Sequence, residues 1–219
     1  MKNIILFFLP FVCFAQTNSY DLLKKLPKLE FEKAVTDSIT KLDSSDLWNF
    51  LYHLKDGDTN SLKPFNNSFV EKLKSAKYPM DMHFLLEILL EQNTEKTIVE
   101  RILNQKQEIW DKGEWSEKMW NLIRAYNLQV YSSAYYSVNQ NGEKNYNLNI
   151  FLQGKIRTEE LGTNPILYLN YKIVSYPENQ LLDTLNKLNI KDIQVTPKSK
   201  SVGLYGKRGI DGMIMVLTR

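Results

Sequence analysis

Two histidines, His53 and His83, are the first residues to weigh for chemistry, because imidazole is the usual acid–base and metal-binding side chain. No H-x-x-x-H or H-E-x-x-H spacing places a second ligand one helical turn from either. The single cysteine, Cys13, falls in an N-terminal targeting segment. Each histidine therefore reads as a polar surface residue or a satisfied core residue, and no metal is expected. A nucleophilic serine needs a base and an orienting group, and no G-x-S-x-G elbow occurs. Ser132, Ser133 and Ser137 lie in a strand-like stretch where small polar residues are ordinary. Glu159-Glu160, and Asp56 with Asp58, are carboxylates close in sequence. General acid–base work requires one member of such a pair to be desolvated, and nothing local signals burial. The run D-G-D-T-N at 56–60 has the first acids of a calcium loop but no closing glutamate at the right distance. Gly203, Gly206, Gly209 and Gly212 recur at every third position, which matches neither the dinucleotide fingerprint nor the P-loop. The residues thus predict no catalytic site, no metal and no cofactor. A non-catalytic role is expected, with a hydrolase working between a helical part and a sheet as the alternative.

The chain that must position these residues has 219 of them, enough for one or two domains. Hydrophobic residues make up 43%, which suffices for a true core and argues against disorder. Residues 1–16 read as a signal peptide: Lys2, an apolar run from Ile4 to Phe14, and a small-x-small site at Cys13-Phe14-Ala15. The run is shorter than the ~20 residues a membrane span requires, so the mature chain is expected to have no transmembrane span. Cleavage after Ala15 would leave Gln16 first. Pro10, Phe11 and Val12 stand where a lipobox wants small residues, which argues against lipidation of Cys13. A mature chain without cysteine has no disulfide and must rely on its core. Lys plus Arg is 28 and Asp plus Glu 25, a net +3; nucleic-acid binding would want a concentrated basic face instead.

Residues 17–127 contain two glycines, Gly57 and Gly113, and read as a helical domain of six short helices. Their apolar stripes run through Phe31, Val35 and Ile39; Leu47, Trp48, Leu51 and Leu54; Ser68 to Ala76; Phe84, Leu85, Ile88 and Leu89; Ile98, Ile102 and Leu103, opened by Thr94; and Trp115, Met119, Leu122 and Ile123. Most of the aromatics are expected in the core, with one or two tryptophans lining a groove. Near Leu128 the period changes to two. Strands are predicted at 128–138 and across Tyr146, Leu148, Ile150 and Leu152, joined by a turn at Asn141-Gly142. A third strand is predicted over 166–174, a helix over 177–188, and strands around Val195 and over Met213 to Thr218. The last is almost wholly apolar and reads as interior. The fold class is therefore α+β: an N-terminal helical bundle, then residues 128–219 as an α/β domain with a mixed four- or five-stranded sheet and one long helix.

The tail carries a family likeness. Ile190, Ile193 and Val195 form a strand pattern, followed by Leu204-Tyr205-Gly206, Arg208-Gly209, Gly212 and Ile214 to Thr218. Asn164-Pro165-Ile166-Leu167-Tyr168 precedes them. This segment, Pro165 to Arg219, resembles the C-terminal part of the plug domain of TonB-dependent outer-membrane receptors. An Asp-Gly that the family places after the first strand is replaced by Asn170-Tyr171. The resemblance implies a plug-like fold and export to the periplasm or the periplasmic face of the outer membrane of a Gram-negative bacterium. It also implies an envelope or outer-membrane protein as partner. The motif residues Tyr205, Gly206, Arg208, Gly209 and Gly212 are then structural, with Tyr205 packing under the sheet and Arg208 fixing the loop. No coupling box follows Gln16, and Arg219 stands where a receptor's barrel of about twenty strands would begin, so the transport role is not expected to carry over. Docking through the strand ending at Thr218-Arg219, as a sheet edge, is one expected mode.

Overall fold

Helix α4 (Pro79–Glu91) is the axis of the N-terminal part. The computed structural model describes residues 22–55, 59–93 and 95–219. The signal segment, the Asp56 and Asp58 pair, the start of the D-G-D-T-N run and the Thr94 cap lie outside them. In α4, Met82, Leu85, Leu86, Ile88, Leu89 and Leu90 are all buried, as a helix that is apolar nearly all round must be. Pro79 opens it, where a missing N–H costs nothing. Around it stand α1 (Lys28–Lys41), α2 (Ser44–Lys55), a 3₁₀ turn (Thr59–Phe65), α3 (Asn66–Ser75), α5 (Lys96–Gln105), α6 (Gln107–Trp110) and α7 (Gly113–Ala125). Trp110 and Trp120 are core, whereas Trp48 remains 38% exposed.

One acid is sealed into this bundle. Asp81 is 1% exposed, and its Oδ1 accepts a 2.6 Å bond from the Ser44 N–H. Burial raises its carboxyl above the ordinary range, aided by Asp43 and opposed by the Ser44 bond and by Lys72. Its Oδ2 has no hydrogen-bond partner. A raised folded pKa means the native state binds the proton more tightly. This contribution to stability is complete below the unfolded value, about 4, and is lost as pH rises through the folded one. Replacing Asp81 with Asn should flatten the fall in urea midpoint between about pH 4 and pH 7. An unchanged pH profile would show that Asp81 is hydrated after all.

The predicted strand at 128–138 is mostly something else. Only Tyr136–Val138 (β1) is a strand, paired antiparallel with Lys144–Tyr146 (β2) as a separate two-stranded sheet. Upstream, residues 129–131 are held by side chains rather than by another strand. Glu100 Oε1 and Asn104 Oδ1 accept from the Gln129 and Tyr131 N–H groups, and Asn104 and Gln107 donate to the same two carbonyls. These three side chains share a face of α5 and its extension, so the backbone bonds a strand would want are made by a helix surface.

The return strand is also corrected. Residues after Tyr146 turn into helix α8 (Leu148–Arg157). Asn147 caps it, its side chain accepting from the Ile150 N–H at 3.1 Å. The buried set is Leu148, Phe151 and Leu152, a helical spacing, while Ile150 is 47% exposed. An alternating strand would have put Ile150 on one face with Leu148 and Leu152; the helix separates them.

The main sheet is mixed and four-stranded, as expected in kind, in the order β4-β3-β6-β5; the stretches at 128–138 and 146–152 take no part in it. β3 (Ile166–Leu169) and β4 (Lys172–Val174) form a hairpin in place of one long strand. Asn170 and Tyr171 both take left-handed backbone, φ 46° and 67°, as a two-residue hairpin turn requires. β5 (Ile190–Thr196) and β6 (Met213–Thr218) are antiparallel, and β3 runs parallel to β6. The predicted helix over 177–188 is the shorter α9 (Leu181–Asn186), and α8 and α9 together supply the helical layer of this core. β6 lies in the interior of the sheet, with Ile214 and Val216 fully buried. The expectation that the Thr218 strand docks as an edge is therefore wrong. Both its sides are paired, and the Arg219 guanidinium is tied to Asn189 Oδ1 and to the carbonyls of Ile190 and Lys144.

Candidate functional site: a groove beside the open sheet edge

The motif glycines join α10 (Lys198–Tyr205) to β6 through a 3₁₀ turn, Gly206–Gly209. Each has its own reason. Gly206 takes φ 58° and ψ −139°, backbone that side chains resist. Gly212 combines φ 81° with a close approach to Leu161 and to the carbonyl of Glu160. At Gly209 an added Cβ would lie 2.3 Å from the Ser201 carbonyl oxygen. Gly203 meets neither constraint: nothing lies within 4 Å of its missing Cβ.

Tyr205 and Arg208, the side chains of the motif, come together on the surface. They line a groove of about 450 Å³ with Asn164, Pro165, Ile173, Val174, Tyr176 and Glu178. Tyr205 is half-buried and Arg208 exposed. The expectation that Arg208 fixes the loop is not met, because its guanidinium makes no hydrogen bond or ion pair to any described residue. The turn is set by backbone geometry, which leaves the cation free. The groove floor is firmer. The Tyr176 hydroxyl donates to the Pro165 carbonyl at 2.5 Å, and burial pushes its pKa up to about 12. Asp211 accepts from the Asn164 N–H at 2.9 Å, pinning the start of β3 to the turn before β6.

A second polar constellation lies where the helical part meets the sheet, and the sequence reading missed it. Lys144 is buried with its Nζ 2.8 Å from Asp111 and 3.6 Å from Asp192. Asp111 also accepts from Ser116 Oγ at 2.6 Å, Trp120 Nε1 at 3.0 Å and the Tyr136 hydroxyl. Asp192 accepts from the Gly113 N–H at 3.0 Å, Gln194 Nε2 at 2.9 Å and the Tyr146 hydroxyl at 3.2 Å. Burial, then the neighbouring carboxylates, drives both tyrosine hydroxyls well above the usual phenol range, so neither serves as a base. A bulge at Lys191 turns Asp192 inward, because the register shifts between Ile190 and Asp192. The available signal was slight: an acid between Ile190 and Ile193 in β5, and a lysine opening the short strand β2. The cavity beside this cluster, about 390 Å³, draws its walls from both parts of the chain. Yet Asp111 and Asp192 are already saturated with donors, so the cluster acts as a clamp.

The remaining candidates are scattered. His83 sits 3.4 Å from Glu87 Oε2 and packs against Phe84 and Trp115; it does not line the junction cavity. His53 is exposed. Glu160 pairs with Lys155 at 2.8 Å, and Glu159 occupies a left-handed turn position at φ 58°. Trp48 stacks on Tyr52 and, with Phe84, lines a shallow groove on the helical part. Among the described residues no group of three or more His, Cys, Asp or Glu is placed to hold a metal ion, and no helix is long and apolar enough to cross a membrane. No family model matches this chain, and neither does any curated protein or solved structure.

Proposed function

We propose that this chain is an exported, non-catalytic binding or assembly module of the cell envelope, acting at the periplasm or the periplasmic face of the outer membrane. Its plug-like domain carries the docking surface, and its partner is an envelope or outer-membrane protein. The observation that carries the reading is the groove at Tyr205 and Arg208. The three stretches that bear the family likeness are β3, β5 and the α10–β6 unit. β3, β5 and β6 pair into one sheet, and the α10–β6 unit sets a half-buried aromatic and an unpaired cation beside β3 and β4. Affinity purification of the tagged full chain from envelope extracts tests it. Recovery of a defined outer-membrane or periplasmic protein is expected; recovery of none sinks the reading. A hydrolase at the junction remains the second reading, on the strength of the cavity beside Asp111 and Lys144. The donors that already saturate those acids weigh against it.

A further inference from the structure

The geometry points to the free edge of β4 as a strand-addition site for an extended, acidic peptide, with Arg208 binding a carboxylate of the incoming chain. This rests on the module reading above and names its partner's chemistry. In a hairpin closed by a two-residue turn, the residues flanking the turn are the hydrogen-bonded pair. Leu169 and Lys172 hold that place, and Leu167 with Val174 is the next such pair. Ile173, opposite Tyr168, therefore turns its N–H and C=O away from β3, and Ser175, one residue past the end of β4, is not in the β3 ladder either. No other backbone group of the described residues meets them. Ile173 is 54% exposed and lines the groove beside Tyr205 and Arg208. A strand laid along β4 gains main-chain bonds from Ile173 and Ser175 and places alternate side chains in the groove.

Charge selects the occupant. Lys198, Lys200, Lys207 and Arg208 lie between Thr196 and Ile210 with no acid among them. None of their side chains is paired with a described residue. Lys172 adds a further exposed cation on the edge itself. Of these, Arg208 lines the groove itself, with Glu178 as the groove's own acid. A second copy of this chain pairing β4 to β4 would set these cations against themselves, and lysine on an edge strand discourages such self-association. An acidic segment alternating with apolar residues is the complement.

The test titrates the full chain with an acetylated peptide of sequence Glu-Val-Asp-Val-Glu-Val and with its lysine counterpart, following amide exchange residue by residue. The acidic peptide should slow exchange at Ile173 and Ser175, and Arg208→Glu should weaken it about tenfold. Arg208 is exposed and unpaired, so that variant folds normally. Ile173→Pro removes the outward N–H while leaving the β3 ladder intact, and should abolish the protection. Equal protection by both peptides, or none by either, overturns the proposal. So does protection that appears with rising protein concentration alone, which would mark a second copy as occupant. Envelope pull-downs with the same variants separate the two levels. Capture by wild type and by both variants keeps the module and overturns strand addition. Capture by wild type alone supports both. Capture by none, with the acidic peptide still protecting Ile173, overturns only the module.

Discussion

Truncating Lys144 to alanine should destabilise the fold by about 3–5 kcal/mol, because removing one partner of a buried ion cluster strands the others. Asp111 and Asp192 would keep their neutral donors but lose the cation between them, with side chains 7% and 3% exposed. The loss should appear as a lower urea midpoint with the slope little changed. Lys144→Met should lose nearly as much, since its shape is kept and its charge is not. Combining it with Asp111→Asn and Asp192→Asn should recover much of the loss, as apolar or neutral substitutes for buried charges often do. Removing the exposed Lys28–Glu32 pair, whose lysine is 90% exposed, should change stability by about 0.5 kcal/mol or less. A Lys144 variant that behaved like the surface pair would mean water reaches the cluster.

Gly209→Ala should be the other severe substitution, costing about 1–3 kcal/mol or more, because overpacking against backbone leaves nothing to swing aside. The added methyl meets the carbonyl carbon and oxygen of Ser201 at 2.5 Å and 2.3 Å. The companion measurement is Gly203→Ala, six residues earlier in the same motif. That site is open and helical, so alanine there should stabilise by about 0.5–1 kcal/mol. Thermal unfolding of the two variants side by side checks the ordering. If both are neutral, the regular spacing of the glycines carries no packing requirement.

The α-helices of the N-terminal part were legible because their apolar residues recur at three and four over long windows, although the stripe read for α4 left out Met82, Leu86 and Leu90, which are buried as well. The sheet's core was legible for the opposite reason: Met213 to Thr218 has no polar face to turn outward. The failures have physical causes. Residues 128–135 alternate like a strand, yet their partner is a row of helix side chains at Glu100, Asn104 and Gln107, which no local pattern in the segment itself announces. Leu148 to Arg157 scores on both periods, and the cap at Asn147 decides for helix. The groove was half visible. Tyr205 and Arg208 were singled out by motif, but whether Arg208 is tied down or free depends on neighbours brought in by the β3–β4 hairpin. The Lys144 clamp joins residues scattered between positions 111 and 192, a distance over which sequence spacing says nothing.

The strand synthesised last among the four is the one that sits between β3 and β5. The hairpin and β5 therefore both precede, in the chain, the piece that links them. Until it is made, the nascent chain carries two half-sheets with bare flanks, open to neighbouring polypeptides and to chaperones.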